Sequence, residues 1–207
     1  MGDIHGCADE LARLVEKAQA DVHISVGDLF TKGPDPVGVW RLVLAHGFLA
    51  VLGNHDDRLL AALAGRRPDD RGARKCIDKL DATGSGWQAW VRALPLWREV
   101  EGFTVVHASL HPSGDLHQTT RADALVRRRI PDTPDGAPWT EVYAGSRRVI
   151  YGHDAVRGLY RRERDGSPWL IGLDSGCVYG RALTGYVIEE DRLISVPAAR
   201  VYKSLDS

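Results

Sequence analysis

The sequence predicts a layered α/β fold, and three observations carry that expectation. Early in the chain, apolar residues at helical spacing alternate with short apolar runs that read as strands. Each such run ends at a glycine and a polar residue, as where the carboxyl end of a strand opens into a site-forming loop. Later, apolar runs are joined by tight turns containing glycine, the mark of hairpins. With 207 residues, 43% of them hydrophobic and 27% charged, the chain is long enough for one packed core and unlike a disordered or fibrous sequence.

From Asp9, the expected N-cap, Leu11, Leu14, Val15 and Ala18 fall on one helical face. Val22, Ile24 and Val26 alternate as a strand that stops at Gly27-Asp28, and Pro36 opens a second helix through Trp40 and Val43 to Gly47. The apolar run 48–52 reads as a strand ending at Gly53-Asn54-His55-Asp56, after which Leu59, Leu60 and Leu63 continue as an amphipathic helix. Trp97–Val100 and Phe103–Val106 form a hairpin about Glu101-Gly102. A second hairpin turns at Asp165-Gly166, and a third joins 183–188 to 193–196. The stretches 65–86 and 112–145 lack periodicity and read as insertions over a site. No repeat or linker divides the chain, so a single domain over 1–207 is expected.

Charge and cysteine usage narrow the function classes. Lys+Arg number 27 against 28 Asp+Glu, a net charge of -1, so no bulk field draws the chain to nucleic acid or lipid, and any polyanion site is local. The cluster Arg66, Arg67, Arg71, Arg74 and Lys75 is interleaved with Asp69, Asp70 and Asp78 and reads as solvated surface, with no strong nucleic-acid signal. Three cysteines without a C-x-x-C pair argue against a disulfide framework or a thiolate zinc site and suit small hydrophobes in a reducing cytosol. No apolar run is long enough to span a bilayer and no leader pattern opens the sequence, so a cytoplasmic protein without membrane contact is expected.

The chemistry sits in short polar clusters placed after strands: Gly2-Asp3-Ile4-His5-Gly6, Gly27-Asp28, Gly53-Asn54-His55-Asp56, His107, and Gly152-His153. They offer carboxylate, imidazole and amide oxygen without thiolate, a mixture suited to Mn, Fe or Zn, and two such ions can share one carboxylate. Of the other histidines, His23 and His46 read as structural, whereas His111 and His117 are undecided. Trp87, Trp90 and Trp97 suit packing, while Trp139 is placed to contact a ligand.

These clusters, from Asp3 to Leu183, resemble those of the calcineurin-like metallophosphoesterases, in the branch that holds the serine/threonine phosphoprotein phosphatases. The resemblance implies a layered α/β/β/α sandwich with a small cap from the two insertions. It also implies two divalent metal ions, Mn first and Fe or Zn as alternatives. Asp3 and His5 would bind one ion, Asp28 would bridge, and Asn54, His107 and His153 would bind the other. His55 would be the general acid, oriented by a hydrogen bond to Asp56. Lys32 and Arg128 would hold phosphate, Arg128 being the candidate from a run of three arginines that cannot all face one pocket.

The segment Gly27-Asp28-Leu29-Phe30-Thr31-Lys32-Gly33-Pro34 resembles the symmetrical diadenosine tetraphosphate hydrolases more than protein phosphatases, which place Asp and Arg where Thr31 and Lys32 stand. Leu173-Asp174-Ser175-Gly176-Cys177 resembles a segment common to those hydrolases and related bacterial phosphatases. Phosphoanhydride or phosphomonoester hydrolysis follows, on a small phosphate ester, a dinucleoside polyphosphate or a phosphoprotein. A phosphoprotein phosphatase is the second reading and an inactive phosphate-binding scaffold the third. The family carries a core strand ahead of its first motif, where here only Met1 precedes Gly2. The expectation is therefore a domain lacking its first strand, with either a start upstream or Asp3 and His5 on a frayed end.

Overall fold

The computed structural model describes residues 1–204. Its larger sheet has five strands in the order β3 (Trp97–Val100), β4 (Phe103–Val106), β7 (Arg148–Tyr151), β9 (Ser167–Gly172) and β8 (Tyr160–Arg164). The outer pairs are antiparallel and the central three strands parallel. Parallel strands are buried on both faces, and β4 is buried along its whole length. Alternation sends Val106, Val149, Tyr151 and Leu170 to one side, and Phe103, Val105, Ile150 and Ile171 to the other.

The second layer of strands is thinner. β1 (Ile24–Ser25) pairs in parallel with β2 (Leu49–Ala50), and β10 (Ala182–Val187) pairs antiparallel with β11 (Arg192–Pro197). Met1 and Gly2 lie between these pairs: the Met1 ammonium donates to Ile24 O, Val26 N–H to Met1 O, and Gly2 N–H to Thr184 O. Val26 and Val51, just past β1 and β2, pack against Phe103 and Ile171 of the larger sheet, so the two layers face each other. Asp3 and His5 are each only 3% exposed, so this end of the chain is not frayed at the site.

Helices close both outer faces. α1 (Ala8–Ala18) and α2 (Pro36–Ala45) pack together, α1 lying on β10 and β11. Asp35 caps α2 by accepting from Gly38 N–H, with Pro36 at the first turn where its missing N–H costs nothing. α3 (Asn54–Leu63), α4 (Arg71–Asp81) and α5 (Gly86–Arg92) extend that layer. On the opposite face lie α6 (Arg121–Val126), the small ladder of β5 (Arg129–Ile130) and β6 (Ala137–Pro138), and α7 (Trp139–Val142). The result is the expected order of helix, sheet, sheet, helix.

Several expectations need correction. α1 starts at Ala8 with Cys7 at the cap position, so Asp9 lies inside the first turn, where its charge favours the helix dipole. The stretch 65–86 is not irregular: Asp70 caps α4, and Ala73, Cys76, Ile77 and Leu80 bury one face against α2 and α3. The dense charge on the other face masked that periodicity. The stretch 112–145 likewise holds α6, β5, β6 and α7. Trp139 is buried, edge-on to Tyr143 and Tyr151, and is core rather than ligand contact. His23 stacks on Phe48 and meets His46 edge-on, as structural residues do.

Trp87 is fully buried and edge-on to Phe30, tying α5 beneath the loop that carries Asp28. Trp87→Ala is expected to lower unfolding free energy by about 3–5 kcal/mol, measured by urea denaturation. A loss below about 1 kcal/mol would contradict this placement.

Candidate active site

Five strand ends and the Met1–Gly2 segment deliver the polar residues to one place. Asp28 follows β1, Asn54 and His55 follow β2 at the start of α3, His107 follows β4, His153 follows β7 and Asp174 follows β9, while Asp3 and His5 leave the Met1–Gly2 segment. Close approach needs glycine at two points. A Cβ on Gly53 would collide with Asp28 and one on Gly152 with Asp3. His5, Asp28, Lys32 and His153 all have positive φ, 49°, 55°, 70° and 69°, a region L-residues adopt at a cost.

Asp28 stands at the centre. Its Oδ2 lies 3.5 Å from His5 Nε2, and its Oδ1 lies 3.6 Å from His107 Nε2 while accepting the His55 backbone N–H at 2.8 Å. Against the cost of burial, the surrounding imidazoles, His107 and His5 foremost, hold its carboxyl well below the usual carboxylate range. Asp3, His5 and Asp28 each offer a ligand atom, all within 4.8 Å of one another. The second cluster is tighter: His107 Nε2 is 2.9 Å from Asn54 Oδ1 and 3.2 Å from His153 Nδ1, which is 3.1 Å from Asn54 Oδ1.

Backbone carbonyls set the tautomers. His107 Nδ1 donates to Val26 O at 2.9 Å, and His153 Nε2 donates to Val126 O at 3.1 Å. The opposite ring nitrogens, His107 Nε2 and His153 Nδ1, therefore present bare lone pairs to each other and to the amide oxygen of Asn54. Burial, the main cause, pushes the pKa of both imidazoles down, so protonation does not relieve the contact. Three acceptors without a proton between them repel one another, and a divalent cation at their focus removes the repulsion. Lysine charge serves the other cluster, with Lys32 Nζ 3.1 Å from His5 Nε2 and 3.0 Å from the Tyr179 hydroxyl. His5 Nδ1 is buried without a partner. The nitrogen and oxygen donors at both clusters fit Mn²⁺, Fe²⁺ or Zn²⁺.

A cleft of about 590 Å³ opens over these groups, with Asp3, Asp28 and Asp174 in its floor and Lys32, Arg128, Arg129 and Arg157 around it. Arg128 lines the cleft and donates to His153 O at 2.8 Å, whereas Arg127 is turned away to pair with Asp123. Of the two stretches 65–86 and 112–145, only the second contributes lining, through Arg128, Arg129 and Pro138. His111 bonds Ser113 in a surface loop, and neither it nor His117 lines the cleft.

Asp56 does not orient His55. Its Oδ2 accepts from the backbone N–H of Asp28 at 2.8 Å and of Gly53 at 3.2 Å, and its Oδ1 accepts from Leu29 N–H at 3.1 Å. Neighbouring helix positions point about 100° apart, so while His55 faces the cleft, Asp56 reaches back and clamps the Asp28 loop. His55 Nδ1 has no partner, and burial brings the ring pKa down to about 4, so its resting state at neutral pH is uncharged. Asp174 also lines the cleft, a placement not expected from the sequence. The signal was present, an acid and a glycine just after an apolar strand. Tyr179 and Arg157 carry no such signal.

The model of the calcineurin-like phosphoesterase family matches residues 1–184. A symmetrical bis(5'-nucleosyl)-tetraphosphatase of Ralstonia nicotianae is 30% identical, with 97% of this chain and 90% of the relative covered. An asymmetrical bis(5'-nucleosyl)-tetraphosphatase of Geobacillus sp. (strain WCH70) is 29% identical, with 98% and 94% covered. Among solved structures, a protein provisionally assigned as a diadenosine tetraphosphatase superposes with a TM-score of 0.76 at 32% identity, over 95% of this chain and 91% of that one. No helix among the described residues is long and apolar enough to cross a membrane.

Burial, with Asp174 and Asp28 adding repulsion, raises the Asp3 carboxyl well above its ordinary range, and burial lifts Asp174 to about 7. Below about pH 7 Asp174 holds a proton, and the raised Asp3 carboxyl is biased the same way, so an incoming cation must displace protons. Mn²⁺ uptake at about pH 6 should therefore release protons, and affinity should climb through about pH 7, up to roughly tenfold per pH unit for each proton. Calorimetry in buffers of different ionisation heat reads this directly, and a flat affinity over that range would contradict it. Separately, Asp56→Ala orphans three buried N–H groups and should cost about 3 kcal/mol or more, read by urea unfolding. Asp56→Asn should recover part of that loss.

Proposed function

The chain belongs to the calcineurin-like phosphoesterase family, and from that premise we propose that it hydrolyses the phosphoanhydride of dinucleoside polyphosphates at a two-metal centre. The observation that carries the reading is Asp28, whose two carboxylate oxygens face two separate donor clusters. In this reading Asp3 and His5 hold one ion, Asn54, His107 and His153 the other, and Asp28 joins them. When bound, the divalent pair, Mn²⁺ first and Fe²⁺ or Zn²⁺ as alternatives, supplies the Lewis acidity that activates water and neutralises phosphoryl oxygens.

The chain's own residues do the rest. Lys32, steadied by the Tyr179 hydroxyl, binds non-bridging oxygens as a point charge without the two-pronged fit of arginine. Arg128, fixed to His153 O, supplies that planar contact. His55 faces the same cleft and delivers the proton to the leaving oxygen. Its resting pKa of about 4 makes the substrate part of the device, because an arriving polyphosphate favours the charged imidazolium. Arg129 and Arg157 give the cleft more positive charge than one phosphate monoester needs, which favours a chain of phosphates. Relatives of both the symmetrical and the asymmetrical kind match, so the position of cleavage is a matter for product analysis.

Protein stripped with chelator and reloaded with Mn²⁺ should cleave diadenosine tetraphosphate faster than it releases phosphate from a phosphoserine peptide. Chromatography distinguishes two ADP from ATP plus AMP. Preference for the peptide would favour the phosphoprotein phosphatase, and no turnover of either would favour a binding module. Asp28→Asn should lower kcat on the order of a thousandfold. His55→Ala should retain both ions and lose about 10²–10⁴-fold, most with poor leaving groups. Loss of metal from that variant would overturn the acid role.

A further inference from the structure

We propose that Cys7, Glu10 and Cys177 form a separate cation site that takes one thiophilic divalent ion of the Zn²⁺ class. The three residues offer two sulfurs and a carboxylate oxygen, all within 4.8 Å of one another. Cys7 and Glu10 are 0% exposed and Cys177 is 1% exposed. Cys7 and Glu10 are three residues apart at the start of α1, but the second cysteine, Cys177, is 170 residues beyond Cys7, which is why no C-x-x-C pattern announces the group.

The carboxylate gives the second observation. Glu10 Oε1 accepts from Ala199 N–H at 2.9 Å and from the Tyr202 hydroxyl at 2.8 Å. Its Oε2 is buried without any hydrogen-bond partner. A buried carboxylate oxygen left bare is costly, and no Lys, Arg or His pairs with Glu10 among the described residues. A cation held by the Glu10 carboxylate and the two sulfurs supplies the partner that Oε2 lacks and removes the cost. Around tetrahedral zinc, sulfur and oxygen donors sit about 3.3–3.8 Å apart, so these atoms need draw together by no more than roughly 1.5 Å. The two thiol protons leave to solvent as the ion enters. Sulfur donors select Zn²⁺ or Cd²⁺ over Mn²⁺, which keeps this site chemically distinct from the nitrogen and oxygen centre.

The placement gives the ion a mechanical role. Cys7 follows the loop of Asp3 and His5, Cys177 follows Asp174, and Glu10 grips the backbone at Ala199. One ion therefore fastens two loops of the cleft floor to the C-terminal segment.

The probe is Cd²⁺, titrated into phosphine-reduced protein with Mn²⁺ in excess to occupy the nitrogen and oxygen centre. The expected result is an ultraviolet thiolate-to-cadmium band that saturates at one equivalent. It should be lost in Cys7→Ala and Cys177→Ala, kept in Cys76→Ala, and need about tenfold more Cd²⁺ in Glu10→Gln. No band in the unmutated protein, or a band that depends on Cys76, overturns the site. A second measurement needs no variant: Zn²⁺ should slow iodoacetamide labelling of Cys7 and Cys177 more than that of Cys76. Equal slowing of all three, or none, also overturns it.

Discussion

Three lone pairs aimed at one focus, from His107, His153 and Asn54, set the terms for the rest of the molecule. Such a focus exists only if backbone carbonyls at Val26 and Val126 take the opposite ring protons, which fixes where β1 and α6 sit relative to β4 and β7. It also requires left-handed backbone at His5, Asp28 and His153, each a cost of about 1–3 kcal/mol. The fold holds these residues in place from several directions. Asp56 grips the Asp28 loop through the N–H groups of Asp28 and Leu29 and its own helix start through Gly53 N–H, His5 N–H reaches Asp28 O at 2.7 Å, and His153 N–H reaches the Asp3 carboxylate.

Charge is arranged in depth. The floor of the cleft carries Asp3, Asp28 and Asp174, and its rim carries lysine and arginine. A net charge of -1 hides this polarity, because the separation is local and balanced over the chain. The floor attracts cations and the rim attracts polyanions, so the two classes of ligand are sorted by depth instead of competing for one surface.

The sequence was most legible where chemistry and local geometry coincide. A glycine and a polar residue after an apolar run located Asp28, Asn54 and His153, and the end of an apolar run alone located His107, since strand ends are where a layered fold puts its site. The hairpins at Glu101-Gly102 and Asp165-Gly166 were equally readable, because their turns need residues that tolerate positive φ. The helix α4 was not, since its apolar face is only four residues set among charges. The role of Asp56 was misread because residue type suggests a partner for histidine, whereas direction is set by its position in the first turn of α3. Which of Arg127, Arg128 and Arg129 faces the cleft depended on Asp123 capturing the first of them, a contact decided by the helix preceding it.

The bond from His153 N–H to the Asp3 carboxylate spans 150 residues of chain. Its length bears on how the protein is made as well as on how it works. A nascent chain emerging from a ribosome carries Asp3, His5, Asp28 and Asn54 early, yet the second cluster stays open until His153 has been synthesised. On the proposed reading, the first half of the polypeptide would be a weak chelator, and metal would be best captured only after most of the barrier from loop closure has been crossed. On the proposed two-metal reading, loading with metal then becomes a late checkpoint of biogenesis, reached by chains in which residues 3 and 153 have already found each other.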